Sequence, residues 1–283
     1  MKIFIRALLL AAILVSGCDR PAEEPAAEAP VPATPAYQTY FGTPPTTSGG
    51  TCYALVGYLP VAGVADRVRP VPLFAFRRDG QPALVIVKLL EFDRAAAGRL
   101  GLEVPFPPGT RLEDLVTDAD RMTVSLTMQD PEALDVPGAL AALGQSLAQF
   151  PGGERVFLRV NGSPPAEETA AGIRPDPDAI LPPEPPQLLG LSLDTESVGG
   201  HQQLAVLFDR PVDIERVNLF DGDVALAGDL FSGMFDMAAV LELPEAGTPA
   251  PGTLVTVDWA VVDHLGRRGQ GRESLPVRAA LHP

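Results

Sequence analysis

Two hydrophobic periods run through the first half of this 283-residue chain, and a single one runs through the second. Residues 52–59 and 71–77 are apolar or alternating runs that read as strands, the latter followed by the turn pair Asp79-Gly80. Pro82 suits the first turn of a helix. Over 83–100, Lys88, Glu91 and Arg94 recur every three residues on an otherwise apolar segment, which predicts one helix there, although 84–87 alone also fits a strand. A proline-rich loop from 105 leads into alternating strands at 112–116 and 122–128. Pro137 opens a second helix, in which Leu140, Leu143, Leu147 and Phe150 form one apolar stripe. Pro151-Gly152-Gly153 breaks it, and 155–160 is a last strand ending at the turn pair Asn161-Gly162. The order β-β-α-β-β-α-β predicts an α+β domain over 51–170, a mixed sheet with two helices.

The second half has no helical stripe. Short apolar or alternating runs at 188–193, 203–208, 217–220, 224–226, 238–243, 254–259 and 275–281 are separated by Gly, Pro and Asp, the pattern of an all-β sandwich over 187–283. The cluster from Pro175 to Pro186 continues neither period, because proline lacks the amide donor, so 171–186 reads as a Pro-rich linker. Residues 18–50 are rich in Pro, Ala and Glu and poor in large apolar side chains. That composition predicts a disordered spacer, up to ~90 Å long if extended at ~3 Å per residue.

The first residues change the picture of where the protein works. Lys2 and Arg6 precede an unbroken apolar run, 7–15, that ends at Ser16-Gly17, the basic, apolar, small-residue order of a secretory leader over 1–17. The run is well short of the ~20 residues that a spanning helix needs. Val15-Ser16-Gly17-Cys18 resembles the bacterial lipobox, which implies cleavage before Cys18 and attachment of diacylglycerol and a further acyl chain such as palmitate to that cysteine. Two or three chains hold firmly, since each buried CH₂ contributes ~0.8 kcal/mol. The expected location is therefore a cell membrane, on its periplasmic or other extracytoplasmic face. Asp19 resembles the signal that retains enterobacterial lipoproteins in the inner membrane, and inner against outer stays open.

Charge excludes one class of partner. The formal net charge is −15, and loss of Lys2 and Arg6 with the leader makes the mature chain more acidic still. Such an excess repels phosphate backbones, so nucleic acid is not expected as a partner. With Cys18 committed to lipid, Cys52 has no intramolecular partner and there is no disulfide framework.

The α+β segment resembles the GerMN domain, named for proteins of sporulation and spore germination and found also in bacterial envelope lipoproteins. The resemblance rests on Pro107-Pro108-Gly109-Thr110-Arg111-Leu112 before an alternating strand. It rests also on the stretch from Gly138 to Gly162, similar to the family's helix, its Phe-Pro-Gly link and its final strand; Gly153 stands where the family usually has an apolar residue. The resemblance implies an α+β fold and a non-catalytic role as an interaction surface in the envelope, with no catalytic residues to carry over. In the second half, 205–212 and 261–269 are similar to the F-x-x-P-V and D-x-x-G features of bacterial Ig-like domains.

No strong catalytic or metal signature accompanies these domains. His201 and His264 sit in loop contexts beside Gly200 and Gly266, and no H-x-x-x-H or C-x-x-C pair joins them. Ser197, His264 and Asp263 supply triad residue types without the G-x-S-x-G elbow. Asp221, Asp223 and Asp229 form the best acidic cluster, yet lack the calcium-loop spacing and read as a solvated turn. Cys52 is either a reactive thiol or a small buried apolar side chain. Asn161-Gly162-Ser163 fits the N-glycosylation pattern, but Asn-Gly reads better as a tight turn. No phosphate-cradling glycine loop is present. The expectation is a lipid-anchored, non-enzymatic envelope protein, without cofactor or metal, whose two domains bind an envelope protein or peptidoglycan. The alternative is a glycan-modifying hydrolase using carboxylates of the acidic loops. Oligomeric state is left open.

Overall fold

The computed structural model describes residues 29–47, 52–165, 171–198, 201–233, 235–244 and 247–280. The leader, Cys18 and Asp19 lie outside the described residues. Within them the chain starts with a short strand pair, β1 (Ala29–Pro30) and β2 (Thr46–Thr47), which brackets helix α1 (Pro35–Phe41). Thr34 caps α1 by accepting a hydrogen bond from the Tyr37 amide, and Pro35 occupies the first turn, where its missing donor costs nothing. Tyr37 and Phe41, four residues apart on one helix face, are buried. The disordered-spacer expectation for 18–50 is therefore corrected over 29–47. The prolines there start a helix, and the aromatic residues behind them supply the buried area that the composition lacked, roughly 2 kcal/mol per ring.

The cause is strand β3 (Tyr53–Pro60), which is buried on both faces. Leu55 and Leu59 join the main α+β core, while Cys52, Ala54, Val56 and Tyr58 pack with Tyr37, Phe41 and Val31 on the other side. One edge of β3 pairs antiparallel with β4 (Val68–Ala75). The other edge has no strand to pair with, so its polar groups find other partners. Ala54 N donates to Pro32 O at 2.8 Å and Ala54 O accepts from Thr34 N at 3.0 Å. Gln149 bonds both Val56 N and Val56 O through its amide, at 3.1 and 2.6 Å, and Ser146 Oγ accepts from Tyr58 N at 2.9 Å. Residues 32–34 and the end of a later helix thus close the strand.

Two helices follow where one was expected over 83–100: α2 (Gln81–Leu90) and α3 (Arg94–Arg99). The break falls at Asp93, whose carboxylate accepts from Ala95 N and Ala96 N at 2.7 and 3.2 Å and so starts a new helix. Strands β5 (Arg111–Asp118) and β6 (Arg121–Thr127) are antiparallel, and β7 (Arg155–Val160) lies parallel to β6, reached through helix α4 (Val136–Leu147). The expected mixed sheet is this three-stranded one, with β3 and β4 a separate hairpin against the helices. In α4 the stripe Leu140, Leu143 and Leu147 is buried as expected, and Phe150 lies beyond the helix but still packs on the core.

The second half is all β: β8 (Leu188–Val198), β9 (His201–Phe208), β10 (Val212–Asp221), β11 (Val224–Ala225), β12 (Asp229–Gly233), β13 (Ala238–Pro244), β14 (Leu254–Asp263) and β15 (Arg268–Ala279). Their order is β11-β10-β14-β15-β8-β9-β13-β12. Strand β15 belongs to both halves: Arg268 to Pro276 pair antiparallel with β14, and Val277 to Ala279 pair parallel with β8. The folded-over sheet is an Ig-like sandwich whose core joins Leu191, Leu204, Val206 and Phe208 of one half to Val255, Val257, Trp259 and Val261 of the other. The sequence placed the last strand at 275–281, because Gly269 and Gly271 interrupt its pattern. Both glycines face Trp259, and a Cβ on either would come about 3.0 Å from the indole ring.

Candidate interaction surface

Two surfaces stand out where the halves meet. The first is a buried cluster of charge. Phe208-Asp209-Arg210-Pro211-Val212 and Asp263-His264-Leu265-Gly266, the two Ig-like features, lie at neighbouring turns, and Asp209, Arg210 and Asp263 are buried. Arg210 donates through Nε and Nη2 to Asp209 Oδ2 at 3.0 and 2.5 Å, and Nη1 reaches Asp263 at 3.4 Å. Asp263 also accepts from the Leu265 and Arg267 amides at 3.0 and 2.9 Å, and from Arg267 Nε at 2.6 Å. Satisfied in this way, the charges are tolerated in a desolvated site.

This cluster holds α1. Arg267 Nη2 donates to Tyr40 O at 2.6 Å, an unpaired carbonyl of the last helical turn. The Arg210 guanidinium stands 5.7 Å over the Phe41 ring. Gly42, with φ +78°, lets the chain turn so close that a Cβ would lie 2.8 Å from His264 O, and His264 Nδ1 is 2.5 Å from Thr43 O. A further tie joins the domains directly, with Arg99 donating to Leu188 O and pairing with Glu273 at 2.6 Å, and Arg69 ties the linker down by pairing with Glu184 at 2.8 Å.

The second surface is an aromatic groove of about 340 Å³ between the end of β4 and α2, lined by Leu55, Leu73, Phe74, Phe76, Leu84 and Val85, with Arg77 and Lys88 also on its wall. Phe76 is 67% exposed, unusual for so large an apolar side chain. Phe74 stacks on Phe235 of the sandwich with centroids 4.9 Å apart, and Phe76 lies 5.7 Å from the same ring. Phe235 and Asp236 have φ of 58° and 61°, left-handed conformations that residues with a Cβ rarely adopt in succession. The turn is fixed by Ser232 Oγ donating to Asp236 and Val212 N donating to Asp236 O, at 2.8 and 2.9 Å. A larger groove of about 560 Å³ is lined in part by Asp66, Arg67, Glu103 and Asp135. Two of these four are already engaged: Arg67 donates to Asp178 O, and Asp135 caps α4 through Gly138 N.

The residues singled out in the sequence are dispersed. Asp263 serves the arginine cluster and His264 bonds the Thr43 carbonyl, while Ser197 is at the opposite end of β8 from Leu188, which pairs with Phe208 near that cluster. The triad types are not brought together. Asp221 and Asp223 are exposed at the β10–β11 hairpin, Asp229 is exposed at the start of β12, and His201 is exposed at the start of β9. Among the described residues no three His, Cys, Asp or Glu side chains are placed to hold a metal ion. Cys52 is buried beside α1, and that burial pushes its thiol above its ordinary pKa. Asn161, at φ 49°, bonds Met128 N and O with its amide, each at 3.1 Å, and prolongs β6. The Arg210–Arg267 cluster escaped the sequence reading because its members lie more than fifty residues apart. The signal that could have found it was the two Ig-like features, one with Asp209 next to Arg210 and the other with Asp263 four residues before Arg267.

The fold defines a two-domain protein, an α+β domain clasped to an Ig-like sandwich. Residues 58–166, most of the α+β domain, match the family model described as Germane, sporulation and spore germination. Among solved structures the chain is similar to the tandem GerMN domains of the sporulation protein GerM from Bacillus subtilis, with 16% identity and a TM-score of 0.35 over 46% of this chain and 48% of that one. The chain thus spans about half the length of that structure. A search of curated proteins finds no match. Among the described residues no helix is long and apolar enough to cross a membrane.

Proposed function

We propose that this protein is a lipid-anchored, non-enzymatic component of the cell envelope, whose Germane and Ig-like domains bind another envelope component, protein or cell-wall glycan. The observation that carries the reading is the exposed Phe76 beside its groove. A passive spacer gains nothing from holding such a ring in water, whereas apolar grooves with few charged rims are where partners dock. The domain clasp supports it too, because a fixed relation between the domains presents the groove as part of one continuous surface. The leader and the lipobox-like Cys18 support attachment to an extracytoplasmic membrane face. The test is a photo-crosslinking amino acid at Phe76 in intact cells, with exposed Val116 as the control position. A protein or glycan adduct specific to Phe76 is expected, and the absence of any adduct beyond the control overturns the reading.

A further inference from the structure

Edge strands invite pairing with other chains, and folded proteins blunt them. In this protein the device is visible at the other long edges. The free edge of β3 is filled by residues 32–34 and by α4 side chains. Strand β4 carries Pro70 and Pro72, which have no amide to donate. Strand β5 is bulged between Leu112 and Asp114 and bears Arg111, Glu113, Asp114 and Asp118. The edge of β7 is covered by bridges to Ile173 and Ser163.

Strand β12 has no bulge, proline or cover among the described residues, and a single charge, Asp229 at its start. It ends the eight-stranded sheet, pairs only with β13 among the described residues, runs without a bulge, and contains neither Pro nor Lys. Leu230 and Phe231 are each 42% exposed. Facing it is the start of β10, which β11 covers only at Phe220 and Asp221. Between the two lies a gap of about 400 Å³ lined by Val212, Asp213, Ile214, Leu230, Phe231 and Asp236. This is the seam where the folded-over sheet fails to close on itself. The charged residues on the lining of the gap, Asp213 and Asp236, are both acidic, and no Lys or Arg occurs from residue 217 to 266, a stretch that includes Asp229 and its cross-strand neighbour Glu242.

We propose that this seam is a strand-addition site, taking an extended segment of an envelope partner protein in which apolar residues alternate with lysine or arginine. Backbone pairing to β12 would supply the affinity, and the apolar side chains would fill the gap beside Leu230, Phe231 and Ile214. Asp213, Asp229 and Asp236 select the cationic positions. A second copy of this chain fits worse, because it would set Asp229 and Asp213 against their own like. The proposal deepens the envelope-binding reading and rests on it, but on a different surface from Phe76.

The test uses the full mature chain and two synthetic probes, an eight-residue peptide alternating valine with lysine and its counterpart alternating valine with glutamate. The lysine peptide is expected to bind at least tenfold more tightly, to weaken as salt is raised to about 0.5 M, and to slow amide exchange within 229–233. Ser232→Lys, a gatekeeper on the edge, is expected to weaken it about tenfold, whereas Ser232→Ala, which loses the same hydrogen bond to Asp236 without adding a charge, is expected to bind as tightly as the wild type. Equal binding of the two peptides, or protection elsewhere in the chain, overturns the proposal. So does a concentration-dependent dimer without peptide that Ser232→Lys abolishes, since a second copy is then the occupant. Failure here with a Phe76 adduct still formed removes only the seam, whereas the absence of a Phe76 adduct removes the binding reading whatever the peptides do.

Discussion

Arg267 ends helix α1 from the other domain: its Nη2 donates to the Tyr40 carbonyl at 2.6 Å while its Nε is held at 2.6 Å by Asp263. The geometry makes one guanidinium fork serve two elements more than two hundred residues apart in sequence. Arg267→Ala leaves the Tyr40 carbonyl without this donor and removes the nearest cation from a fully buried carboxylate, which Arg210 reaches only at 3.4 Å. Breaking such a pair costs about 3 kcal/mol. Chemical denaturation should record that loss, and hydrogen exchange should rise in 35–41. Arg267→Lys keeps the charge but loses the fork, and should recover only part of it.

A comparison of two glycines separates backbone strain from contact. Gly42 and Gly266 have φ of +78° and +79°, but a Cβ at Gly42 lies 2.8 Å from His264 O whereas one at Gly266 meets nothing within 4 Å. Both alanine variants carry the left-handed penalty of about 1 kcal/mol. Gly42→Ala must also push α1 away from the sandwich. Its urea midpoint should fall clearly further than that of Gly266→Ala, and equal falls would mean the α1 contact is loose.

The polar accounting of β3 gives a third expectation. Ser146 is buried and its Oγ is the acceptor for Tyr58 N. Ser146→Ala leaves a buried amide unpaired, at about 1 to 3 kcal/mol. Gln149→Ala removes four bonds from one side chain, to Val56 N, Val56 O, Thr34 Oγ1 and Ser146 O. It should therefore destabilise at least as much, and should raise exchange at Thr34 and Tyr37 as well as in β3, which amide exchange read by mass spectrometry can resolve.

These interactions mark the limit of what could be read in the sequence. Strands β3, β4 and β6 to β9 and helix α4 are legible because each buries one face or both and shows it as a period or an apolar run, whereas β5 keeps only Leu112 and Leu115 partly buried. The apolar run at Leu55 to Leu59 fits a strand covered on both sides, but the aromatic residues that cover it, Tyr37, Tyr40 and Phe41, stand in a proline-rich stretch whose composition alone fits a spacer. The division of 83–100 was hidden for another reason: Asp93 acts as a cap only because the chain turns there, and Lys88, Glu91 and Arg94 fit one helix equally well. At the interaction surface the missing information was tertiary. Phe76 reads as the end of a strand, and only its distance to Phe235 and its exposure single it out.

The lipid attachment proposed at Cys18, which lies outside the described residues, has its own test. If Cys18 carries lipid, Cys18→Ala should shift the protein from the membrane fraction to the soluble extracytoplasmic fraction, and mass spectrometry of the wild-type N-terminal peptide should show the added acyl mass. Retention of Cys18→Ala on the membrane would place the attachment elsewhere.

The core beneath α1 sets the response to alkali. Burial raises the Cys52 thiol above its ordinary 9.0, and burial first, with the nearby Asp236 charge second, raises the Tyr37 hydroxyl above 10.0. Both groups hold their protons more tightly folded than unfolded. Their contribution to stability is therefore complete below the unfolded values and is lost as pH rises through the folded ones. Denaturation midpoints should hold steady up to about pH 9 and then decline, since Cys52 begins to favour the unfolded chain at the ordinary thiol value of 9.0. In Cys52→Ala the decline should start later, near the tyrosine range. The same burial keeps the thiolate scarce, so iodoacetamide at pH 8 should leave the native protein unlabelled at Cys52 and label it fully in urea. Rapid native labelling would mean that α1 opens often enough to expose the core it covers, and would turn the clasp from a fixed joint into a moving one.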